Sequence, residues 1–315
     1  MAAISLKQNL SPRITPEEPQ QRTISVEIPG LIRVFKDGHV ERPHLVPCVP
    51  PSLAPELGVT CGDATVDQST SVWARIYLPR PAPQLLPLLV YFHGGGFCVG
   101  SASWACYHQF LGQLASAANC VVVSVDYRLA PENPLPAAYD DGAAAVGWVR
   151  RQAEEEGSGW WASRCDFKRI FLGGDSAGGN IACHVALRQR PEEVRGLILI
   201  QPFFGGEERT GSERQASAGS ALTLAAADAY WRMALPEGAN RDHPWCNPAA
   251  PDVDVLVCVS GMDILRDRNL EFCGRRVERV VYEGVGHAFQ ILDRSPLAQI
   301  RARQMICRIK DFVAM

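Results

Sequence analysis

The sequence lacks the features that mark several large classes of protein. Its 11 cysteines form no C-x-x-C pair, it has no long basic run, and the net charge is only −3. Its longest apolar stretches, such as Leu85–Phe92, are far shorter than a membrane span. The N-terminal stretch also lacks the basic-then-apolar pattern of a signal peptide. We therefore expect no metal, no nucleic-acid partner and no membrane. We expect a soluble cytoplasmic protein with reduced cysteines, and a nuclear location is left open as well.

The 315 residues alternate between short apolar runs and helix-like segments, which is typical of an α/β fold with a mostly parallel sheet covered on both faces. We predict one domain over residues 1–315, with residues 1–22 flexible and antiparallel strands at the start. The predicted strands are Val59–Val66, Ser71–Leu78, Leu88–Phe92, Cys120–Val125, Arg169–Gly173, Val194–Ile200, Val253–Ser260 and Val277–Glu283. The predicted helices are Tyr107–Ala118, Ala137–Glu156, Ile181–Gln189, Leu265–Cys273 and Pro296–Phe312.

Two regions depart from this alternation. Leu31–Phe35 and His39–Glu41 flank a Lys-Asp-Gly turn, which predicts a small hairpin. Residues 207–247 carry polar, alanine-rich and tryptophan-bearing pieces, which indicate a helical insertion.

Ser176 lies in a G-x-S-x-G motif between a strand-like run and a helix-like segment. In this strand–turn–helix context the turn strains the serine backbone, so that its neighbours Gly174 and Gly178 must be small. The motif by itself is weak, because a serine in a glycine-rich turn is usually only a turn residue. With this context it predicts a nucleophilic serine.

Two further chemistry-bearing residues come directly after predicted strands. Asp263 follows the strand at Val253–Ser260, and His287 follows the strand at Val277–Glu283. Serine, acid and histidine then occur in the order of α/β-hydrolases. A serine hydroxyl needs a base, and the base needs an anion that fixes its tautomer. Asp263 could instead cap a helix, and Asp267 and Asp293 are rival acids.

The run His93-Gly94-Gly95-Gly96-Phe97 follows another predicted strand. Consecutive glycines let backbone N–H groups converge on one point, which is what a tetrahedral oxyanion requires. The N–H of Ala177, directly after the serine, is the expected further donor. A flexible turn or a phosphate cradle is the alternative, although neither the Walker spacing nor G-x-G-x-x-G is present.

The chain resembles the hormone-sensitive-lipase-like branch of α/β-hydrolases, in particular plant carboxylesterases and the related gibberellin receptors. The motifs that carry the resemblance are HGGGF (93–97), DYRLAPE (126–132), PLPAAYDD (134–141), GDSAGGN (174–180) and GHAF (286–289). The resemblance implies Ser176, Asp263 and His287 as triad and the N–H groups of Gly95, Gly96 and Ala177 as oxyanion hole. It also implies a cap over the acyl pocket, built from about residues 23–45 and 207–247.

We therefore expect a carboxylesterase that acts on a small-molecule ester without a cofactor, with His93 and Gly94 supporting the oxyanion loop. A protein partner is left open. The alternatives are a gibberellin-type receptor and a dehydratase or cyclase of a specialised metabolite. The receptors replace the triad histidine by an aliphatic residue, so His287 favours catalysis. The 23 residues between Asp263 and His287 are fewer than is usual in the family.

Overall fold

A small antiparallel sheet precedes the central sheet in the computed structural model, which describes residues 22–43, 45–81, 84–154, 159–215, 220–272 and 274–315. Its strands are β1 (Ile24–Ile28), β2 (Ile32–Phe35) and β3 (Val40–Glu41). Strands β2 and β3 form the predicted hairpin, whereas β1 was not predicted. The flexible stretch predicted for residues 1–22 lies outside the described residues except for Arg22.

The central sheet has eight strands within the described part of the chain, in the order β11-β10-β9-β8-β6-β7-β5-β4. Their bounds are β4 (Val59–Asp67), β5 (Val72–Pro79), β6 (Leu86–Phe92), β7 (Val121–Asp126), β8 (Cys165–Asp175), β9 (Gly196–Ile200), β10 (Asp254–Ser260) and β11 (Val277–Tyr282). Strands β4, β5 and β7 pair antiparallel, and all other neighbours pair parallel. The predicted mostly parallel sheet with antiparallel strands at the start is confirmed.

Helices cover both faces of this sheet. Their bounds are α1 (Ala105–Ala118), α2 (Ala137–Arg151), α3 (Ala177–Leu187), α4 (Gly211–Arg214), α5 (Leu224–Ala234), α6 (Arg266–Glu271), α7 (Phe289–Leu292) and α8 (Pro296–Ala314). Alternate residues of β6 face opposite sides, since Val90 packs in one hydrophobic cluster and Leu89 in the other. The cluster containing Val90 holds α2 and α3, and the one containing Leu89 holds α1 and α8.

Several predicted helix boundaries differ from the structure, most of them by two residues. The prediction that α2 reaches Glu156 is wrong at its end, because the helix stops at Arg151 and turns follow to Glu154, where the described residues break off. Helix α3 begins four residues earlier than predicted, immediately after the serine turn. Helix α6 ends at Glu271, and the predicted end at Cys273 lies outside the described residues.

The two segments predicted to form a cap contact each other, since β1 packs against α5. Arg42 joins the first of them to the loops after β6 and β7: its guanidinium donates to the Cys98 and Ala130 carbonyl oxygens at 2.7 and 2.9 Å. None of the described helices combines the length and the apolarity needed to cross a bilayer.

Candidate active site

The turn between β8 and α3 holds Ser176 in a strained conformation, with φ +52°. The flanking glycines have no room for a side chain. A Cβ added at Gly178 would lie 1.9 Å from the Phe92 carbonyl oxygen, and one added at Gly174 would lie 2.4 Å from the Gly178 carbonyl carbon. Close packing of the turn against β6 therefore explains why both neighbours of the serine are glycine.

Ser176, His287 and Asp263 form one hydrogen-bonded chain at the carboxyl ends of β8, β11 and β10. The His287 Nδ1 lies 2.7 Å from Asp263 Oδ2, and its Nε2 lies 3.0 Å from Ser176 Oγ. In the neutral tautomer that fits these contacts, Nδ1–H donates to the carboxylate and the serine hydroxyl donates to Nε2. All three side chains are at least nine-tenths buried. The short connection between Asp263 and His287 therefore does not keep them apart.

The rival acids lie elsewhere in the structure. Asp267 accepts a hydrogen bond from the Ser212 N–H at 2.7 Å, and Asp293 accepts one from the Ser295 N–H at 2.8 Å. Asp263 is held by the Leu265 N–H, which donates to its second carboxylate oxygen at 3.0 Å. One carboxylate oxygen of Asp263 thus accepts from the backbone of its own turn, and the other accepts from His287.

Opposing effects set the pKa of His287. Burial lowers the pKa, because it disfavours the imidazolium, whereas the charge of Asp263 and its hydrogen bond raise it, with a smaller contribution from Asp175. The net result is a pKa above the usual value of 6.5. A base of this kind can accept a proton from the serine near neutral pH and hold it while the reaction proceeds.

The glycine loop after β6 presents free backbone donors. Gly95 and Gly96 have φ of +115° and +59°, which an L side chain rarely adopts. Within the described residues, the N–H groups of Gly95, Gly96 and Ala177 donate no hydrogen bond to the protein. The Gly94 N–H differs, because it donates to the Tyr107 hydroxyl at 2.8 Å and to Asp175 at 3.1 Å. Gly94 anchors the loop, and the donors after it are left unpaired.

A buried carboxylate beneath the loop holds it in place. Asp175 also accepts hydrogen bonds from the Tyr91 and Tyr107 hydroxyls, at 2.8 and 2.9 Å. Burial raises the pKa of Asp175, although these hydrogen bonds and the nearby histidines lower it in part. The sequence did not reveal these tyrosines, because a single tyrosine within an apolar strand or helix pattern is read as an ordinary core residue.

His93 supports the same loop. Its Nδ1–H donates to the Gly94 carbonyl oxygen at 2.8 Å, and its ring stacks on Tyr127 with the centroids 4.3 Å apart. Complete burial lowers its pKa. His93 is therefore neutral near pH 7, and among the described residues its ring is hydrogen-bonded to the loop and not to Ser176.

Helix α5 of the insertion lies on the glycine loop. A Cβ at Gly96 would fall 2.2 Å from the ring of Tyr230, and the next residue, Trp231, stacks on Phe203 with ring centroids 4.5 Å apart. A cleft of about 680 Å³ opens beside the His287 ring and is also lined by Met262 and Leu292. No group of three His, Cys, Asp or Glu side chains in the described residues is arranged to hold a metal ion.

Gln201 is a further residue near the site to which the sequence gave no role. It follows β9, its side chain is 1% exposed, and its carboxamide oxygen accepts a hydrogen bond from the Ala288 N–H at 2.6 Å. The available signal was its position at the carboxyl end of a predicted strand, as for the serine, the acid and the histidine.

The chain is similar to proteins of known class. A family model described as the alpha/beta hydrolase fold matches residues 89–291. "Probable carboxylesterase 6" of Arabidopsis thaliana is 53% identical over 307 residues, which cover 91% of this chain and 90% of that protein. A 2-hydroxyisoflavanone dehydratase of Glycyrrhiza echinata is 37% identical over 93% of this chain and 97% of its own length. A gibberellin receptor of Arabidopsis thaliana is 40% identical over 68% of this chain and 69% of its own.

Among solved structures, an esterase of the archaeon Pyrobaculum calidifontis superposes with a TM-score of 0.70 at 29% identity, covering 81% of this chain and 86% of that one.

Proposed function

The chain belongs to the hormone-sensitive-lipase-like plant carboxylesterases of the α/β-hydrolase family, and from this premise we propose that Ser176, His287 and Asp263 are its catalytic triad. It is a carboxylic ester hydrolase, as its carboxylesterase relative and esterase structural neighbour indicate. The observation that carries the proposal is the continuous hydrogen-bonded chain from the Ser176 hydroxyl through His287 to Asp263.

In acylation, the Ser176 Oγ attacks the ester carbonyl while His287 Nε2 takes the hydroxyl proton. Asp263 stabilises the imidazolium that forms. The negative charge that develops on the carbonyl oxygen is stabilised by the N–H groups of Gly95, Gly96 and Ala177, which make no other hydrogen bond in the described part of the chain. The C–O bond to the alcohol then breaks, and His287 gives its proton to the departing oxygen.

Deacylation repeats these steps with water. His287 takes a proton from a water molecule as that water attacks the acyl carbonyl, and the proton returns to Ser176 Oγ as the acid leaves. The substrate is a small acyl ester in this proposal. Its alcohol approaches along the cleft beside His287, since His287 must protonate that oxygen.

Covalent labelling tests the triad. A fluorophosphonate is expected to add once per chain at Ser176, and Ser176→Ala should abolish the adduct and lower kcat for p-nitrophenyl acetate by about 10⁴-fold or more. Asp263→Asn should lower kcat by about 10⁴-fold, because His287 then loses the anion that fixes its tautomer.

Ser124→Ala is the matched control, since this serine of β7 is buried and its hydroxyl has no hydrogen-bond partner among the described residues. It should label and turn over as the unchanged protein does. A receptor would bind its ligand with negligible ester turnover and little effect of Ser176→Ala. A dehydratase would form product without an acyl-enzyme. Either pattern would overturn the triad proposal.

A further inference from the structure

Gln201 occupies an unusual backbone position for a non-glycine residue. It follows Ile200, the last residue of β9, with φ +47° in the left-handed region. Only a few per cent of non-glycine residues adopt this region, and their surroundings must hold them there. Residues in such conformations are concentrated at functional sites, so the position warrants a chemical explanation.

The backbone on either side of Gln201 is bonded to the nucleophile turn. The Ser176 N–H donates to the Ile200 carbonyl oxygen at 2.9 Å, and the Phe203 N–H donates to the Ser176 carbonyl oxygen at 2.8 Å. The Gln201 N–H itself donates to the Cys258 carbonyl oxygen in β10 at 2.8 Å. Gln201 therefore lies on a segment fixed to the serine on one side and to the strand leading to Asp263 on the other.

The Gln201 side chain reaches the third member of the site. Its Oε1 accepts from the Ala288 N–H at 2.6 Å, and its Nε2 donates to Gln290 Oε1 at a longer 3.3 Å. Ala288 follows His287 directly and is itself in the left-handed region, with φ +56°. The backbone that carries the imidazole is thus tied by a buried side chain to the segment that carries the serine.

We propose that Gln201 is a positioning residue, which fixes the backbone beside His287 so that the imidazole stays in register with Ser176 and Asp263. This inference rests on the proposed triad. The hydrogen bonds of the Gln201 side chain go to Ala288 and Gln290 and not to Ser176, His287 or Asp263, so its role is to position and not to react. Its effect on the reaction passes entirely through His287.

Gln201→Met is the informative variant, because methionine fills nearly the same volume without an acceptor. We expect kcat for p-nitrophenyl acetate to fall about 10- to 100-fold with KM nearly unchanged, because a displaced imidazole costs rate and leaves binding intact. The rate constant for fluorophosphonate labelling should fall in parallel.

The pH profile separates positioning from simple support of the fold. The charged groups that act on His287 are Asp263, from the loop after β10, and Asp175, from the end of β8. If the imidazole moves away from Asp263, burial dominates, and the acid limb of kcat/KM shifts to lower pH. Loss of stability alone would lower the melting temperature and leave the midpoint of the acid limb of kcat/KM unchanged.

Gln201→Glu provides the rescue, since its carboxylate can still accept from Ala288. It should recover most of the activity and move the acid limb to higher pH, opposite to Gln201→Met, because it adds negative charge near His287. Gln290→Met removes only the longer contact, so its effect should be smaller than that of Gln201→Met.

The inference fails if Gln201→Met keeps the unchanged kcat and acid limb, or if Gln290→Met is equally damaging. A wild-type protein that resists labelling at Ser176 would instead refute the triad itself, which keeps the two failures distinct.

Discussion

At the scale of single residues, two opposing effects act on the pKa of His287: burial lowers it, and the Asp263 carboxylate raises it. The base must be neutral to accept the serine proton, so kcat/KM should rise with pH and reach half its maximum at the pKa of His287. Because that pKa lies above 6.5, we expect the midpoint of the acid limb above pH 6.5. A rate profile from pH 5 to 9 with p-nitrophenyl acetate measures it.

Asp263→Asn is the companion variant for this profile. Without the carboxylate, burial of His287 is no longer offset, so the residual activity should titrate at a lower pH than in the unchanged protein. A kcat/KM profile of the unchanged protein that is flat from pH 5 to 8 would contradict His287 as the base.

At the scale of elements, the glycine loop proposed as the oxyanion hole is fixed by contacts from three other parts of the chain. Asp175 at the end of β8 holds Gly94, the Tyr230 ring of α5 lies against Gly96, and Arg42 bonds to Cys98. Preorganised donors are effective because they need not reorient as charge develops. The helix predicted within a cap therefore also supports the loop that we propose as the oxyanion hole.

Substitution of the loop glycines tests this arrangement. A Cβ at Gly95 would lie 2.0 Å from the Val99 carbonyl oxygen, so Gly95→Ala must displace the loop. Loss of one donor typically lowers kcat by about 10²- to 10³-fold, and we expect that loss with KM little changed. Steady-state kinetics on p-nitrophenyl acetate provides the measurement.

Gly38→Ala is the matched control for the backbone penalty. Gly38 has φ +84°, but a Cβ there would meet nothing within 4 Å. Gly38→Ala should lower the free energy of unfolding, measured in urea, by about 1–2 kcal/mol and leave kcat unchanged. Equal kcat for both alanine variants and the unchanged protein would remove Gly95 from the oxyanion hole.

At the scale of the whole molecule, buried histidines make stability depend on pH. Burial lowers the pKa of His184 to about 4, although its hydrogen bond with the Trp245 carbonyl oxygen partly opposes the shift. The unfolded chain takes up a proton near pH 6.5 and the folded chain does not, so stability falls as pH drops from 6.5 towards 4.

His287 has the opposite sign, since its raised pKa contributes stability below pH 6.5 that is lost as pH rises through its folded pKa.

For His184, the free energy of unfolding should fall by about 2 kcal/mol between pH 7 and pH 5. Urea unfolding at these two pH values should show a smaller fall in His184→Gln, because this variant has no titrating ring at that position. An unchanged difference would assign the acid sensitivity to other groups.

The sequence alone determined which chemistry is present and where it falls along the chain. Glycines around Ser176, the glycine run from Gly94 and the strand-like runs before Asp263 and His287 are local patterns, and local patterns report burial and backbone freedom directly. That is why the α/β class, the family and the ester hydrolase activity were all predicted correctly, and why the three candidate residues could be named.

Only the tertiary structure decided which partners meet. Asp263 contacts His287, whereas Asp267 and Asp293 contact serine backbones, because strand order places the end of β10 beside that of β11. The contact between Gln201 and Ala288 joins residues far apart in the chain, and periodicity carries no information on such pairs. Which polar groups meet at the edge of a parallel sheet depends on its lateral order, and that order is fixed by packing of the whole core.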